Sequence, residues 1–214
     1  MPTILCYGDS NTHGTVPLTA LGQFARYPKG TPWPDVLAER LGADFDVISE
    51  GLPGRTTVHD VSVEGGKRSG LDVLPAILPS HVPVDLMLLM LGTNDLKPRF
   101  SVTAAEIARS VERLVLEARG IVPGLDVMVI APAPVRGAGV LKTIFEGAEV
   151  KQENLAPLMK EAAARQRCGF FDAGGHVTVS PVDGVHWTPE DHKRFAEALA
   201  RRIVDHFKSV TGES

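Results

Sequence analysis

The sequence contains only two cysteines, Cys6 and Cys168, and neither has the spacing of a zinc-binding or redox motif. Each lies in an apolar segment, so we expect two buried thiols in a reducing cytoplasm rather than a disulfide. The N-terminal residues lack the basic and apolar regions of a signal peptide. The longest apolar run, residues 86–91, is far shorter than the roughly 20 residues that cross a bilayer. We therefore expect a cytoplasmic protein with no membrane partner.

The sequence also lacks an excess of positive charge. It has 22 basic and 26 acidic residues, scattered along the chain, which give a formal net charge of -4. Nucleic-acid-binding surfaces need clustered Lys and Arg, so we expect no nucleic-acid partner. The 214 residues, 43% of them hydrophobic, can bury one sizeable core but are few for two. We predict a single domain over residues 1–214.

Short apolar runs alternate with helical patterns along the chain. The runs predict β-strands at residues 3–7, 45–49, 86–91, 127–131 and 169–171. Each run is continuous, which is typical of parallel strands covered on both faces. Helices are predicted at residues 103–119, at about 150–167, and from Thr188, where Thr-Pro-Glu-Asp is a capping sequence. This order predicts an α/β fold, a three-layer α/β/α sandwich with a mainly five-stranded parallel sheet.

Three segments rich in Gly and Pro are longer than a connection requires: residues 15–32, 59–70 and 132–146. They are interpreted as walls of a pocket or as subunit contacts, with ordinary surface loops as the alternative. In parallel α/β sheets, binding sites form at the carboxyl ends of the strands. Candidate catalytic residues are therefore expected directly after each predicted strand.

A serine follows the first predicted strand in Gly8-Asp9-Ser10-Asn11-Thr12. At a strand end where a helix begins, a serine hydroxyl is well placed as a nucleophile, and its own amide can stabilise an oxyanion. Gly-Asp-Ser is also common in ordinary turns. The segment therefore needs support from elsewhere in the chain.

That support is Asp183-Gly184-Val185-His186, which precedes the last predicted helix. A turn of this length lets the Asp183 carboxylate accept the Nδ1 proton of His186, which leaves Nε2 free to take a proton from Ser10. His13 is an alternative base, but it lacks a nearby aspartate that would orient it. We therefore predict a Ser10, His186 and Asp183 catalytic triad.

Two further segments supply candidate oxyanion donors. Asn94 follows the predicted central strand and can donate its side-chain amide without adding charge. Gly54 follows the second strand, and a glycine lets a backbone N–H approach a ligand closely. Asp95 is interpreted as an anchor of its turn. Taken singly, each segment also fits an ordinary strand-to-helix turn.

These four segments together resemble the SGNH, or GDSL-type, hydrolase family over nearly the whole chain. The resemblance implies a flavodoxin-like fold and the same triad, with the Ser10 amide, the Gly54 amide and the Asn94 side chain as the oxyanion hole. The first block reads GDSN instead of the commoner GDSL. This departure places Asn11 where the family has an apolar residue, and we expect it to affect packing rather than the nucleophile.

Blocks such as Arg55-Thr56-Thr57, Ile144-Phe145-Glu146-Gly147 and Phe171-Asp172-Ala173-Gly174 resemble the bacterial arylesterase and acyltransferase branch. That resemblance implies hydrolysis of short-chain esters, acyl transfer to alcohols or hydrogen peroxide, and a homo-oligomer whose loops narrow the approach to the site. The small-molecule ester is then the partner, and no cofactor or metal is expected.

Other residues are expected near the substrate: Asp9, Asn11, Pro53 and Trp187. Trp33 and Phe24, with Trp187, are candidates for the walls of an acyl or aryl pocket, and core packing is the equal alternative. Arg55 is expected to have an exposed structural role rather than to steer anionic substrates.

Two other classes of function stay open. A nonenzymatic α/β module could bind a phosphorylated small molecule at the helix after Ser10, although the GxxxxGK[ST] and GxGxxG motifs are missing. A metal hydrolase could use Asp183, His186 and a third ligand, although neither the HxH nor the HExxH spacing occurs.

Overall fold

The computed structural model describes residues 1–60, 62 and 66–211. Its strands are β1 (Thr3–Gly8), β2 (Asp46–Gly51), β3 (Leu86–Met90), β4 (Asp126–Ala131) and β5 (Gly169–Asp172). They form one sheet in the order β2-β1-β3-β4-β5, and every neighbouring pair is parallel. The predicted strands differ from the observed ones only at their ends, and the predicted fold class is confirmed.

Helices cover both faces of the sheet. They are α1 (Ser10–His13), α2 (Trp33–Leu41), α3 (Gly70–Ser80), α4 (Ala104–Ile121), α5 (Ala148–Lys151), α6 (Leu155–Arg165) and α7 (Pro189–Thr211). Helices α2 and α7 contact each other on one face, while α4 lies between α3 and α6 on the other. The result is the predicted three-layer sandwich.

Strand β1 shows why its sequence is apolar at every position. Ile4 and Cys6 pack into the core beneath α2 and α7, whereas Leu5 and Tyr7 pack into the core beneath α3, α4 and α6. All four side chains are fully buried. Successive side chains of a strand point to opposite faces, so a central strand covered on both faces needs apolar residues throughout.

Helix α4 is the clearest case of a local sequence signal. Thr103 accepts a hydrogen bond from the Glu106 N–H, and the Glu106 carboxylate accepts one from the Thr103 N–H, which together form a capping box. The predicted apolar stripe is buried along the helix at Ile107, Val111, Leu114, Val115 and Ala118. Cap and stripe together fix where the helix begins and which face it buries.

The helix predicted at residues 150–167 is instead two helices, α5 and α6. Asn154 separates them with a left-handed backbone angle, φ 64°. A continuous right-handed helix cannot contain such a residue, and asparagine adopts this conformation more readily than most.

The two thiols differ in burial, although both were expected to be buried. Cys6 is buried, whereas Cys168 is only partly buried, with its Sγ 3.6 Å from Nη2 of Arg119.

The strand register brings the candidate residues to one edge of the sheet. Gly8 at the end of β1 lies opposite Gly51 of β2 and Met90 of β3.

The long loops contain some local structure. Residues 15–32 include an antiparallel bridge between Thr15 and Arg26, and residues 132–146 include a short 3-10 helix, Gly139–Leu141. The loop at 59–70 falls partly outside the described residues. None of the helices over the described ranges meets the length and hydropathy that a membrane crossing needs.

Candidate active site

Ser10 is held at the end of β1 by a tight turn into α1. Asp9 caps this helix, and its carboxylate accepts a hydrogen bond of 3.0 Å from the Asn11 N–H. Gly8 and Gly51 are required beside it, because a Cβ at Gly8 would collide with the Thr12 side chain and one at Gly51 with the His13 backbone. The close packing of α1 on the strand ends therefore fixes where the Ser10 hydroxyl lies.

The predicted triad is assembled in the structure. His186 Nε2 lies 3.0 Å from Ser10 Oγ, and His186 Nδ1 lies 2.6 Å from Asp183 Oδ2. All three residues are buried. The hydroxyl, the imidazole and the carboxylate thus form one continuous hydrogen-bonded chain, which is the arrangement that activates a serine nucleophile.

The Asp183 carboxylate accepts backbone hydrogen bonds as well. Its Oδ1 accepts the N–H groups of Val185 at 3.0 Å and His186 at 2.9 Å, and its Oδ2 accepts the Leu18 N–H at 2.7 Å. Burial alone would raise the pKa of Asp183, but the hydrogen bonds and the charge of His186 outweigh it and lower that pKa below its ordinary value. Asp183 is therefore ionised at neutral pH and oriented toward the imidazole.

Asn94 lies in a short 3-10 helix after β3, Asn94–Leu96. Its Nδ2 donates one hydrogen bond to the Arg55 carbonyl oxygen at 3.0 Å. An amide nitrogen carries two hydrogens, so the second can be donated to a ligand. Asp95 accepts the N–H and the hydroxyl of Thr57 at 3.0 Å and 2.6 Å, which is the anchoring role predicted for it.

Gly54 lies in the turn that follows β2, where the Arg55 N–H donates to the Leu52 carbonyl at 3.0 Å. Its φ of +81° is left-handed, which favours glycine. A Cβ at this position would lie 3.5 Å from Nε of Arg68. The turn thus belongs to the same sheet edge as Ser10 and Asn94, where the sequence analysis placed it.

Arg55 is buried rather than exposed, which corrects the prediction. Its guanidinium stacks 4.1 Å above the Tyr7 ring, and its Nη1 donates to the carbonyl oxygens of Gly8 and Glu50. The side chain thereby ties the ends of β1 and β2 together beneath the site. Arginine is rarely buried without such partners, and composition alone gives no signal that a particular arginine has them.

Two of the residues expected near the substrate, Asp9 and Asn11, are buried beside the triad. Asp9 is buried, which raises its pKa to about 6, although the hydrogen bond from Asn11 and the charge of His186 act in the opposite direction. Asn11 donates from Nδ2 to the Val185 carbonyl oxygen at 3.2 Å. The GDSN departure therefore links the nucleophile helix to the loop of the base, beyond the packing effect that we expected.

Two of the three aromatic pocket candidates pack in the core, which was the alternative stated for them. Trp187 is 1% exposed, and its indole packs in the core, with ring centroids 4.9 Å from Phe195 and 5.4 Å from His192. Trp33 is also fully buried, whereas Phe24 is 94% exposed. The Trp187 side chain thus belongs to the hydrophobic core on one face of the sheet. Pro53 is half-buried in the turn beside Gly54.

His13 does not compete for the base role in this arrangement. Its Nδ1 lies 3.2 Å from the Thr15 hydroxyl oxygen. Burial, reinforced by the charge of Arg26, lowers the pKa of His13. His186 is the histidine that reaches the Ser10 hydroxyl.

Comparison with known proteins identifies the family of the chain. The family model of the GDSL-like lipase/acylhydrolases matches residues 6–204. The chain belongs to this family. No curated protein sequence matches the chain at a significant level. The triad described above thus lies on a family member, within the matched range.

Several solved structures of the family are similar over nearly the whole chain. The native aryl esterase of M. smegmatis is 37% identical, with 96% of this chain and 99% of that chain covered and a TM-score of 0.90. A carbohydrate acetylesterase from Sinorhizobium meliloti is 34% identical, with the same coverages and a TM-score of 0.91. Family members of this fold thus include enzymes named for both aryl and carbohydrate esters.

Proposed function

We propose that the protein is a serine hydrolase of short-chain carboxylic esters that works through an acyl-enzyme on Ser10. The observation that carries this proposal is the chain of hydrogen bonds from Ser10 Oγ through His186 to Asp183, at 3.0 Å and 2.6 Å. A serine bound to an imidazole is placed to attack a carbonyl rather than to cradle a phosphate. The similar aryl esterase and carbohydrate acetylesterase support an ester substrate.

The first half of the reaction forms the acyl-enzyme. His186 takes the Ser10 proton as Oγ attacks the ester carbonyl, and Asp183 stabilises the imidazolium that results. The oxyanion accepts hydrogen bonds from the amides of Ser10 and Gly54 and from the side chain of Asn94. When the tetrahedral intermediate collapses, the carbon–oxygen bond to the alcohol breaks and His186 protonates the leaving alcohol.

The second half releases the acyl group. His186 removes a proton from water as the water oxygen attacks the acyl carbonyl. The bond between the acyl carbon and Ser10 Oγ then breaks, the carboxylic acid is released, and His186 returns the proton to Oγ. An alcohol or hydrogen peroxide in place of water gives acyl transfer or a peracid, which we include as a further activity. We also propose that the protein is a single domain without a cofactor or metal, cytoplasmic, and homo-oligomeric.

The decisive test is covalent labelling of Ser10. After incubation with a small organophosphonate inhibitor, peptide mass spectrometry should find one adduct on Ser10, with parallel loss of p-nitrophenyl acetate hydrolysis. Ser10→Ala should form no adduct and lack activity. Ser101→Ala, at an exposed serine, is the matched control and should behave as the wild type. Full activity in the absence of an adduct would contradict the proposal.

A further inference from the structure

The Asp183 carboxylate accepts one hydrogen bond that its own turn does not provide. The donors to Oδ1 are the amides of Val185 and His186, two and three residues after Asp183 in the same turn. Oδ2, the oxygen that faces the imidazole, is shared between His186 Nδ1 at 2.6 Å and the backbone N–H of Leu18 at 2.7 Å. Leu18 lies 165 residues away in sequence.

We propose that the Leu18 backbone amide is a positioning group of the triad, which fixes the Asp183 oxygen that the His186 imidazole uses. The proposal rests on the proposed esterase function. A carboxylate held by its own turn can still rotate within the limits of that turn, and a second donor on Oδ2 fixes its plane. Hydrogen bonds to charged groups are stronger than neutral ones, so this single amide has a large effect on orientation.

The amide is held in place by the loop that carries it. Thr15 and Arg26 form an antiparallel bridge, the Val16 N–H donates to the Ala25 carbonyl at 2.9 Å, and the Tyr27 N–H donates to the Gly14 carbonyl at 2.9 Å. These contacts close the segment into a hairpin-like loop. Leu18 lies two residues after Val16 in this closed loop, so the direction of its N–H is constrained.

The same loop is attached to the chain near the nucleophile and near the base. Arg26 Nε donates to the carbonyl oxygen of His13, at the end of the helix that Ser10 begins, at 2.7 Å. The Tyr27 hydroxyl donates to the carbonyl oxygen of Trp187, next to His186, at 3.3 Å. With the Leu18 amide on Asp183, the loop contacts the segment of every triad member.

Loss of this donor has a chemical signature that loss of packing lacks. A carboxylate that accepts one hydrogen bond fewer holds a proton more tightly, so the Asp183–His186 pair takes up a proton at higher pH. Among the residues that the structure describes, the ionisable groups whose charges act on the pair include Asp9 on the nucleophile turn, Tyr27 on the loop and His192 on α7. These three groups are unchanged by a substitution at Leu18.

The test compares two substitutions at one position. Leu18→Pro removes the N–H, because proline lacks this donor, whereas Leu18→Ala keeps the N–H and removes most of the side chain. Relative to Leu18→Ala, we expect Leu18→Pro to lower kcat about tenfold, equivalent to about 1.4 kcal/mol, with a smaller change in KM. The acid limb of its kcat/KM profile should also lie at higher pH. Equal kcat and equal acid limbs in the two variants would overturn the proposal.

The same two substitutions at Leu18, made in an Asp183→Asn background, isolate the contact between the Leu18 N–H and the Asp183 carboxylate. Asparagine removes the charged oxygen, so Leu18→Pro and Leu18→Ala should then differ less than twofold, which is the coupling that a double-mutant cycle measures. An undiminished tenfold difference would show that proline acts through the loop and not through Asp183. That result would overturn the proposal.

If Leu18→Pro fails to fold, NMR of the Leu18 amide proton tests the same contact in the wild-type protein. In wild-type protein labelled with 15N-leucine, the Leu18 amide proton should resonate at low field and titrate together with the acid limb of activity. Leu18→Ala assigns the signal by its absence, and Asp183→Asn should move it upfield. An amide signal that does not titrate would overturn the inference, whereas absence of the Ser10 adduct would instead overturn the proposed function.

Discussion

At the scale of single residues, the side chain of Asn94, the proposed oxyanion donor, has one amide hydrogen bound to the Arg55 carbonyl and a second that can be donated. The Arg55 carbonyl fixes its orientation, and Arg55 is itself fixed by the ends of β1 and β2. Electrostatic stabilisation depends on donors that do not have to reorganise during the reaction. The buried arginine therefore helps to hold the asparagine rigid, which its proposed role as an oxyanion donor requires.

Asn94→Ala should lower kcat by roughly a hundred- to a thousandfold, because removal of one oxyanion donor typically has this effect. KM should change much less, since the interaction is made mainly in the transition state. Steady-state kinetics with p-nitrophenyl acetate measure both parameters. Unchanged turnover would remove Asn94 from the mechanism.

Asp9 gives a residue-scale prediction about stability. Burial raises its pKa from 3.8 to about 6, so its favourable contribution is complete below pH 3.8 and is lost as the pH rises through 6. Asp9→Asn does not titrate. The free energy of unfolding of this variant, relative to wild type, should therefore increase by about 2 kcal/mol between pH 4 and pH 8.

Urea denaturation of both proteins at the two pH values measures this difference. A constant difference would mean that the buried carboxylate is better stabilised by its neighbours than we infer.

Single residues also show which features of the site could be predicted from the sequence and which could not. Residue types and spacing were sufficient to predict that Ser10, His186 and Asp183 lie together, as they do. A backbone donor such as the Leu18 amide is common to every non-proline residue and gives no signal.

At the scale of elements, strands were easier to predict than helices. A central parallel strand needs apolar side chains on both faces, so its sequence is distinctive over five or six residues. Helix α3 was not predicted individually, because Pro75 and Pro79 lie inside it and proline usually indicates a helix boundary. The division between α5 and α6 depends on the conformation of one residue, Asn154, which pattern analysis does not reveal.

Helix α4 provides the element-scale prediction. Thr103→Ala removes the side-chain half of its capping box and should lower the free energy of unfolding by about 1 kcal/mol. Turnover should be unchanged, since the cap lies outside the proposed catalytic residues. Thr103→Ser retains a hydroxyl acceptor and should retain most of the stability. Equal denaturation midpoints for wild type and Thr103→Ala would contradict the contribution of the cap.

At the scale of the whole molecule, His192 joins the two helices of one layer. Its Nδ1 accepts the Trp33 N–H at 3.2 Å, so a residue of α7 caps the first turn of α2. The side chain is fully buried, and burial lowers its pKa from 6.5 to about 4. In this position the neutral imidazole is the form that the fold accommodates.

The stability that neutral His192 provides is complete above pH 6.5 and is lost as the pH falls toward 4. Wild-type protein should therefore lose up to about 3 kcal/mol of unfolding free energy over this range relative to His192→Asn. Denaturant unfolding at pH 7 and pH 4 checks this, with intact p-nitrophenyl acetate hydrolysis at pH 7 to confirm that the variant folds. Parallel pH dependence of the two proteins would contradict it.

The strand order of the sheet allows the chain to be divided into two fragments that each keep a set of neighbouring strands. β1, β2 and β3 are contiguous in the sheet, as are β4 and β5, so a break between β3 and α4 would leave both groups of strands whole. Ser10, Gly54 and Asn94 would stay on one fragment, and Asp183 and His186 on the other. Neither fragment alone would hold a nucleophile together with its base, so ester cleavage would report their reassociation, as in a split enzyme used for complementation.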